Sequence, residues 1–306
     1  MHIELFQIQI PDSVLTDLHD RIARTRWPIT MADWGWEYGT DINTLRTLVD
    51  YWQHKFDWRN EEKKINQFPQ FRVTVDDLRI HCVHIRSKNP EALPLIITHG
   101  WPGSFVELLK LVPFLQDNFH IVIPSLPGYG FSDGAEVAGL NPKRIAALWV
   151  KLMRSLGYEK FITQGGDWGA SVSTWIGLDA PESLIGIHLN YIPGSYKPHI
   201  TNQELSDGEK EFVRSAEEWF EKDGAYGHVQ ATKPQTLAYA MHDSPVGMAA
   251  WILEKSHGWS FCQRSVLEHF SYEELLNNIM IYWLTETFGS STRLYYEARK
   301  SPLHFR

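Results

Sequence analysis

The stretch FITQGGDWG (residues 161–169) carries the pattern that decides the fold. An apolar strand ends here, and Gly165, Gly166 and Gly169 surround the acidic residue Asp167. A sharp strand-to-helix turn needs small residues because its backbone passes close to neighbouring segments, and it leaves the central side chain at the top of a sheet. These residues therefore predict a nucleophile elbow centred on Asp167. They also leave open an aspartate that only caps the next helix.

Two further glycine-rich loops follow apolar strand patterns. HGWPGS (99–104) comes after Leu95–Ile97, and PGYGFS (127–132) comes after Ile121–Ile123. Ligands in open α/β sheets bind where the strands end, so both loops are expected at the same edge as Asp167. The first loop predicts backbone N–H groups that point into a site, although an ordinary turn has the same composition. The second loop is interpreted as a structural border of the site.

Buried strands alternate with helical patterns through the middle of the chain. The clearest helix is predicted over 141–156, with Asn141 as its cap, Pro142 at its first position and Gly157 after its end. Continuous apolar runs, of which 184–189 is one, indicate strands that are buried on both faces. This alternation predicts a mostly parallel α/β sheet flanked by helices.

The pattern differs on either side of this alternation. Upstream, a period of two over 71–82 predicts an antiparallel hairpin. Downstream, residues from about 200 to 290 are almost entirely helical in pattern, with capping-box sequences that begin at Ser206 and Ser271. We interpret this part as a helical insertion set upon the sheet.

The composition is that of an enzyme-sized globular protein. The 306 residues are 43% hydrophobic with a net charge of −8, which excludes a disordered chain and argues against nucleic acid as a partner. Two cysteines, Cys82 and Cys262, exclude a disulfide framework. No signal peptide or membrane span is predicted, so a cytoplasmic protein is expected. His81 and His84 fall on opposite faces of a strand pattern, so no metal site is predicted there.

The three loops in this order resemble the α/β-hydrolase superfamily, and further motifs resemble one family within it, the microsomal and juvenile-hormone epoxide hydrolases. The motifs that carry this resemblance are HGWPGS (99–104), GGDWG (165–169), AYGHVQATKPQT (225–236), DSPVGMAAWILEK (243–255) and SSTRLYYE (290–297). The resemblance implies an α/β-hydrolase fold with a helical lid. The implied organisation is an N-terminal meander and hairpin (1–90), a hydrolase core (91–195), the lid (196–290) and a return toward the core (291–306).

An aspartate at the elbow points to a particular chemistry. A carboxylate attacks an sp³ carbon and forms an alkyl ester, whereas a serine forms an acyl-enzyme. The resemblance implies that Tyr226 and Tyr295 act as acids on the epoxide oxygen, with the adjacent Tyr296 as the alternative to Tyr295. The backbone N–H groups of Trp101 and Trp168 are expected to hold the oxyanion of the ester hydrolysis. No cofactor and no metal is expected.

The sequence departs from the family's pattern after SSTRLYYE. The family's acid and histidine lie beyond this segment, whereas this sequence ends at Arg306. We therefore name no general base. The expectation is that the last strands of the sheet are missing, which would expose an apolar edge, and that the chain is either shortened or a partial copy.

The resemblance, through the elbow aspartate together with the two lid tyrosine motifs, implies hydrolysis of an epoxide to a vicinal diol. The 13 tryptophans favour an apolar, aromatic pocket, so a hydrophobic epoxide is expected. One alternative is a haloalkane dehalogenase, since an indole N–H after the elbow aspartate can bind halide, although the two lid tyrosines argue against it. The other alternative is a binding protein or an inert remnant without a base. The expected partner is a small apolar epoxide, without nucleic acid or membrane, and a homodimer stays open.

Overall fold

A computed structural model describes residues 2–29, 35–192, 205–262 and 265–301. The beginning of the predicted lid (196–204) and the last five residues of the predicted return lie outside these ranges. Within them, one mixed sheet is built from strands β1 (Ile3–Phe6), β2 (Gln70–Val75), β3 (Leu78–Ile85), β4 (Leu93–Thr98), β5 (Phe119–Pro124), β6 (Phe161–Gly165) and β7 (Leu184–Leu189).

Helices cover the sheet and form most of the second half of the described chain. Their bounds are α1 (Asp12–Ala23), α2 (Ile42–His54), α3 (Trp58–Ile65), α4 (Phe105–Leu108), α5 (Val112–Leu115), α6 (Pro142–Ser155), α7 (Asp167–Asp179), α8 (Asp207–Asp223), α9 (Ala225–Thr232), α10 (Pro234–Asp243), α11 (Pro245–Gly258), α12 (Tyr272–Leu284) and α13 (Phe288–Arg299). We call α8 to α12 the helical segment.

The sheet has the strand order β1-β2-β3-β5-β4-β6-β7. β1, β2, β3 and β5 pair antiparallel in turn, and β5, β4, β6 and β7 pair parallel. The parallel half therefore places the ends of β4, β5 and β6 along one edge, with their loops side by side. This is the α/β-hydrolase arrangement that the sequence predicts, with the predicted hairpin as β2 and β3.

The helix caps that the sequence predicts are present in the structure. The Asn141 side chain accepts a hydrogen bond from the Arg144 N–H at the start of α6, and Gly157 follows the helix with φ +93°. Both predicted capping boxes form, at Ser206 and at Ser271. At each of these helix starts a side chain accepts a hydrogen bond from a backbone N–H group that has no partner within the helix. A few neighbouring residues therefore determine where each helix begins.

One strand differs from its prediction. The run 184–189 predicts a strand buried on both faces, but β7 is paired only with β6 at the end of the sheet. Ile185 and Ile187 are 47% and 46% exposed as a result. Both exposed side chains belong to the strand at this end of the sheet, within the part of the chain that the structure describes.

The elbow depends on the close approach of α7 to β4. An ideal Cβ on Gly169 would lie 2.0 Å from the carbonyl oxygen of Thr98, and one on Gly165 would lie 2.1 Å from the Gly169 carbonyl carbon. Both contacts are to backbone atoms, which cannot rotate away. Only glycine allows β6 to turn directly into α7 at this distance from β4.

We expect Gly169→Ala to lower the free energy of unfolding by roughly 1–3 kcal/mol, the usual cost of overpacking a filled core. The matched control is Gly186→Ala in β7, where a Cβ would meet nothing within 4 Å, so a change below about 0.5 kcal/mol is expected. Urea unfolding followed by tryptophan fluorescence measures both. Equal stability of the two variants would contradict this account of the elbow.

Candidate active site

Asp167 occupies a strained position between β6 and α7. It is the first residue of α7 and has φ +50°, a conformation that an aspartate adopts only where its surroundings enforce it. The HGWPGS loop passes directly over it, because an ideal Cβ on Gly100 would lie 2.4 Å from the Asp167 carboxylate. The structure therefore brings GGDWG and HGWPGS together at one point of the sheet edge.

Two backbone N–H groups adjoin the Asp167 carboxylate. The Trp101 N–H donates to Asp167 Oδ1 at 2.9 Å, and the Trp168 N–H lies beside it at the start of α7. Desolvation of the carboxylate raises its pKa, while both N–H groups act in the opposite direction. Because the pKa is raised overall, desolvation outweighs the two N–H groups.

Tyr226 and Tyr295 reach this point from different helices. Tyr226 lies on α9 and Tyr295 on α13, and their ring centroids are 5.9 Å apart. The Trp101 ring stacks on Tyr226 at 5.4 Å, and the Trp168 ring meets Tyr295 edge-on at 4.7 Å. Each tryptophan whose N–H faces Asp167 therefore also packs against one of the two tyrosines. We call these four aromatic residues the aromatic cluster.

The Tyr295 hydroxyl is buried and has no hydrogen-bond partner. Tyr295 and Tyr226 are close enough to influence each other's pKa, yet their hydroxyls do not meet in hydrogen-bonding geometry. Burial, and next the Asp167 charge, raise the pKa of both phenols above the ordinary value. Both are therefore protonated at neutral pH. Tyr296, the alternative from the sequence, is 40% exposed with the Lys300 ammonium 4.2 Å from its ring centroid.

His99, the first residue of HGWPGS, positions this loop. It is buried, and burial lowers its pKa to about 4, so the ring is neutral. Its Nδ1 lies 3.0 Å from the Gly100 carbonyl, and its Nε2 lies 3.1 Å from the Leu126 N–H. A neutral imidazole satisfies both contacts by donating from Nδ1 and accepting at Nε2. His99 therefore joins HGWPGS to the segment that leads into PGYGFS.

The helical segment holds the other side of the same loop. The Asn278 amide donates to the Pro102 carbonyl, and the Tyr282 hydroxyl donates to the Gly103 carbonyl at 2.7 Å. Both side chains belong to α12. These bonds satisfy loop carbonyls that face away from water and fix the loop against the helices.

A cavity of about 380 Å³ adjoins the aromatic cluster. Trp259 belongs to its wall and also packs against Tyr226, with ring centroids 5.0 Å apart. The rest of the wall comes from α3, α4, α11 and α12, from the HGWPGS loop and from residues that adjoin these elements, and its apolar members include Ile65, Phe68, Val106, Leu109, Ile252, Phe270 and Leu275. The sequence did not single out Trp259, since its place beside Tyr226 depends on how the helices pack.

The described residues contain no group of three or more histidine, cysteine, aspartate or glutamate side chains able to hold a metal ion. His81 instead lies 2.9 Å from the Ser125 hydroxyl and 3.0 Å from the Gln70 side-chain oxygen. Burial lowers its pKa to about 3, so it is a neutral core residue. In the same ranges, no helix has the length and apolar character that crossing a membrane requires.

Comparisons with protein families and curated proteins show similarity to epoxide hydrolases. A family described as "Epoxide hydrolase N terminus" matches residues 3–108, and the family "alpha/beta hydrolase fold" matches residues 94–233. A putative epoxide hydrolase of Stigmatella aurantiaca is 43% identical over 302 residues, which cover 95% of this chain and 68% of that protein. Juvenile hormone epoxide hydrolase 2 of Ctenocephalides felis is 36% identical, over 96% of this chain and 69% of that protein.

Solved structures agree with these matches. The juvenile hormone epoxide hydrolase of the silkworm Bombyx mori superposes with a TM-score of 0.89 at 31% identity, covering 98% of this chain and 78% of that one. The Aspergillus niger epoxide hydrolase gives a TM-score of 0.87, also at 31% identity, and covers 98% and 80% of the two chains.

We expect Asp167→Asn to raise the free energy of unfolding at pH 7. The folded state raises the pKa of Asp167 above 3.8, so the ionised carboxylate destabilises the folded protein at every pH above that raised value. This cost disappears as the pH falls through the folded-state pKa toward 3.8, and the two proteins should converge there. Parallel urea titrations from pH 7 down to pH 4 measure the difference. A variant that is less stable than the parent at pH 7 would contradict this result.

Proposed function

The chain belongs to the epoxide hydrolase family of the α/β-hydrolase superfamily, and on that premise we propose that it hydrolyses an apolar epoxide through a covalent ester on Asp167. The observation that carries this proposal is the Tyr295 hydroxyl, a buried donor without a partner in the cluster that surrounds Asp167. An unpaired donor in such a place is costly unless a ligand accepts from it. An epoxide oxygen is an acceptor of this kind.

In the first step the Asp167 carboxylate attacks an epoxide carbon. One carboxylate oxygen forms a bond to carbon, the ring C–O bond breaks, and its electron pair stays on the departing oxygen. An alkoxide is a poor leaving group, so a proton donor must meet it as the charge develops. Tyr226 and Tyr295 are suited to this because their raised pKa values keep them protonated.

In the second step water hydrolyses the alkyl ester at the Asp167 carbonyl. The oxyanion that forms on this carbonyl would be held by the N–H groups of Trp101, which donates to the carboxylate, and of Trp168, which adjoins it. These donors need not move during the reaction. We assign no base for the attacking water within the described ranges.

The cavity beside the aromatic cluster is suited to the apolar substituent of the epoxide. Its volume of about 380 Å³ exceeds that of a single phenyl ring, and Trp259 lines it while packing against Tyr226. A substrate with its epoxide at Asp167 and an aryl or alkyl group toward this cavity would bury that group against Trp259. We therefore propose a hydrophobic epoxide as the substrate and a vicinal diol as the product.

A haloalkane dehalogenase is less well supported. A halide leaves without a proton, so a dehalogenase has no use for two buried, protonated tyrosines beside the nucleophile. The indole N–H groups of Trp101 and Trp168 are buried without partners and are the feature that a halide would use. The relatives named above are epoxide hydrolases, which favours the epoxide.

We expect Tyr295→Phe and Tyr226→Phe each to slow the opening of styrene oxide by roughly 10²–10⁴-fold, the usual contribution of a positioned acid. Tyr296→Phe is the matched control on the exposed side of α13 and should react as the parent does. Asp167→Asn should consume no epoxide, because an amide does not form the ester. Epoxide loss in single-turnover reactions, followed by chromatography, measures all four variants.

Two results would overturn the proposal. The nucleophile would be wrong if Asp167→Asn consumed epoxide at the parent rate. The assignment of the acids would be wrong if Tyr296→Phe were as slow as Tyr295→Phe. Circular dichroism of each variant shows that a loss of rate is not a loss of fold.

A further inference from the structure

Lys255 is a buried cation beside one of the two tyrosines. Only 7% of its surface is exposed, and its ammonium lies 4.7 Å from the ring centroid of Tyr226 and 5.7 Å from that of Trp259. Its carboxylate partner is the neighbouring Glu254, whose side chain is 27% exposed. Lysine is seldom buried to this extent, so its location needs a reason.

We propose that Lys255 is a positioning residue that makes Tyr226 the proton donor to the substrate oxygen and leaves Tyr295 to donate a hydrogen bond. This inference rests on the proposed function, in which both tyrosines meet the epoxide oxygen. It goes further by assigning them different roles and by placing a cation in the reaction.

Proton transfer to the substrate leaves a negative charge on the enzyme. When the epoxide oxygen takes a proton from Tyr226, the alcohol stays on the ester and a phenolate stays on the enzyme. A cation over a ring is attracted by the neutral phenol and more strongly by the phenolate, because the phenolate carries a full charge. Lys255 therefore stabilises the product of proton transfer more than the starting phenol.

Tyr295 has a different environment. Its ring neighbours in the cluster are Trp101, Trp168 and Tyr226, which are uncharged. The charge that affects its pKa most is the negative charge of Asp167. Among the residues that the structure describes, no cation lies over its ring. A phenolate at Tyr295 would therefore form without compensation, whereas a hydrogen bond from its hydroxyl needs no charge transfer.

The other groups that face Tyr226 determine how strongly Lys255 can stabilise its phenolate. Burial raises the pKa of Tyr226 most, and the negative charges of Asp167 and Glu254 raise it further, as does Tyr191. Glu254 also partly neutralises Lys255. Asp167 loses its charge when the ester forms, so the balance around Tyr226 shifts toward Lys255 during the step in which the phenolate appears.

The proton balance closes over the two steps. In ring opening Tyr226 gives up its proton and becomes a phenolate, and the Asp167 carboxylate becomes a neutral ester. Attack of water on the ester then yields the diol and the carboxylic acid of Asp167, which releases one proton as it ionises. That proton restores Tyr226, so the whole cycle adds one water to one epoxide.

The test measures single-turnover alkylation of the full chain by styrene oxide. Lys255→Gln should slow alkylation by roughly twofold to thirtyfold, the range expected from cation–π energies at buried sites, and Lys255→Arg should restore most of the rate. The matched control is Lys300→Gln, which removes an ammonium 4.2 Å from the exposed Tyr296 ring and should have no effect. Glu254→Gln removes the opposing charge and should be at least as fast as the parent.

Combining variants separates an effect on Tyr226 from a structural one. Lys255→Gln should have little further effect in a Tyr226→Phe background and its full effect in a Tyr295→Phe background, because only Tyr226 needs the cation. Equal rates for Lys255→Gln and Lys300→Gln would overturn the inference, as would an undiminished effect of Lys255→Gln in the Tyr226→Phe background. If Tyr226→Phe alone leaves alkylation unchanged, Tyr226 is not an acid and this inference fails, whereas the proposed function itself is wrong only if Asp167 is not alkylated.

Discussion

The structure depends on the turn that holds Asp167 between β6 and α7. At φ +50° this residue stores backbone strain of about 1–3 kcal/mol, and its buried carboxylate adds an electrostatic cost. Both are tolerated because the turn cannot relax: Gly165 and Gly169 bring α7 against the backbone of β4. A rigid sheet edge thus presents a charged carboxylate in a place where little water competes for it.

The elements around Asp167 hold a backbone N–H group and two tyrosine side chains close to its carboxylate. HGWPGS supplies an N–H from above, and it is fixed on one side by His99 and on the other by Asn278 and Tyr282 of α12. The helical segment and α13 supply the tyrosines, since α13 packs against α9 and α10. Loop and helices therefore constrain each other, so substitutions in α12 should affect the loop N–H as well as the helices.

Electrostatics and packing act together in the aromatic cluster. Uncharged rings around Asp167 exclude water, which raises the pKa of the carboxylate and of both phenols. The same exclusion strengthens each hydrogen bond and charge interaction within the site. Lys255 is the exception in this apolar surrounding, and its place over Tyr226 rather than Tyr295 makes the two phenols chemically unequal.

The sequence predicts those parts that depend on local signals. The core strands, the Asn141 cap of α6 and the capping boxes at Ser206 and Ser271 are confirmed, because a few neighbouring residues determine each of them. Helix α3 (Trp58–Ile65) was not predicted, although Asp57 caps it by accepting from the Asn60 N–H.

Other features require the tertiary structure. The exposure of β7 follows from its place at the end of the sheet, which an apolar run of residues does not reveal. The burial of Lys255 and the unpartnered Tyr295 hydroxyl arise where α9, α11 and α13 meet, so no short stretch of sequence contains them. The resemblance to epoxide hydrolases singled out the tyrosines, but it could not show what surrounds them.

The central claim is that Asp167 becomes covalently bonded to the substrate. The most direct measurement mixes the chain with excess styrene oxide, quenches with acid within a turnover, digests the protein and maps the added mass by tandem mass spectrometry. The account predicts one styrene oxide unit on the peptide that contains Asp167, with the modification at that residue. Consumption of epoxide with no added mass on this peptide at any quench time would contradict it.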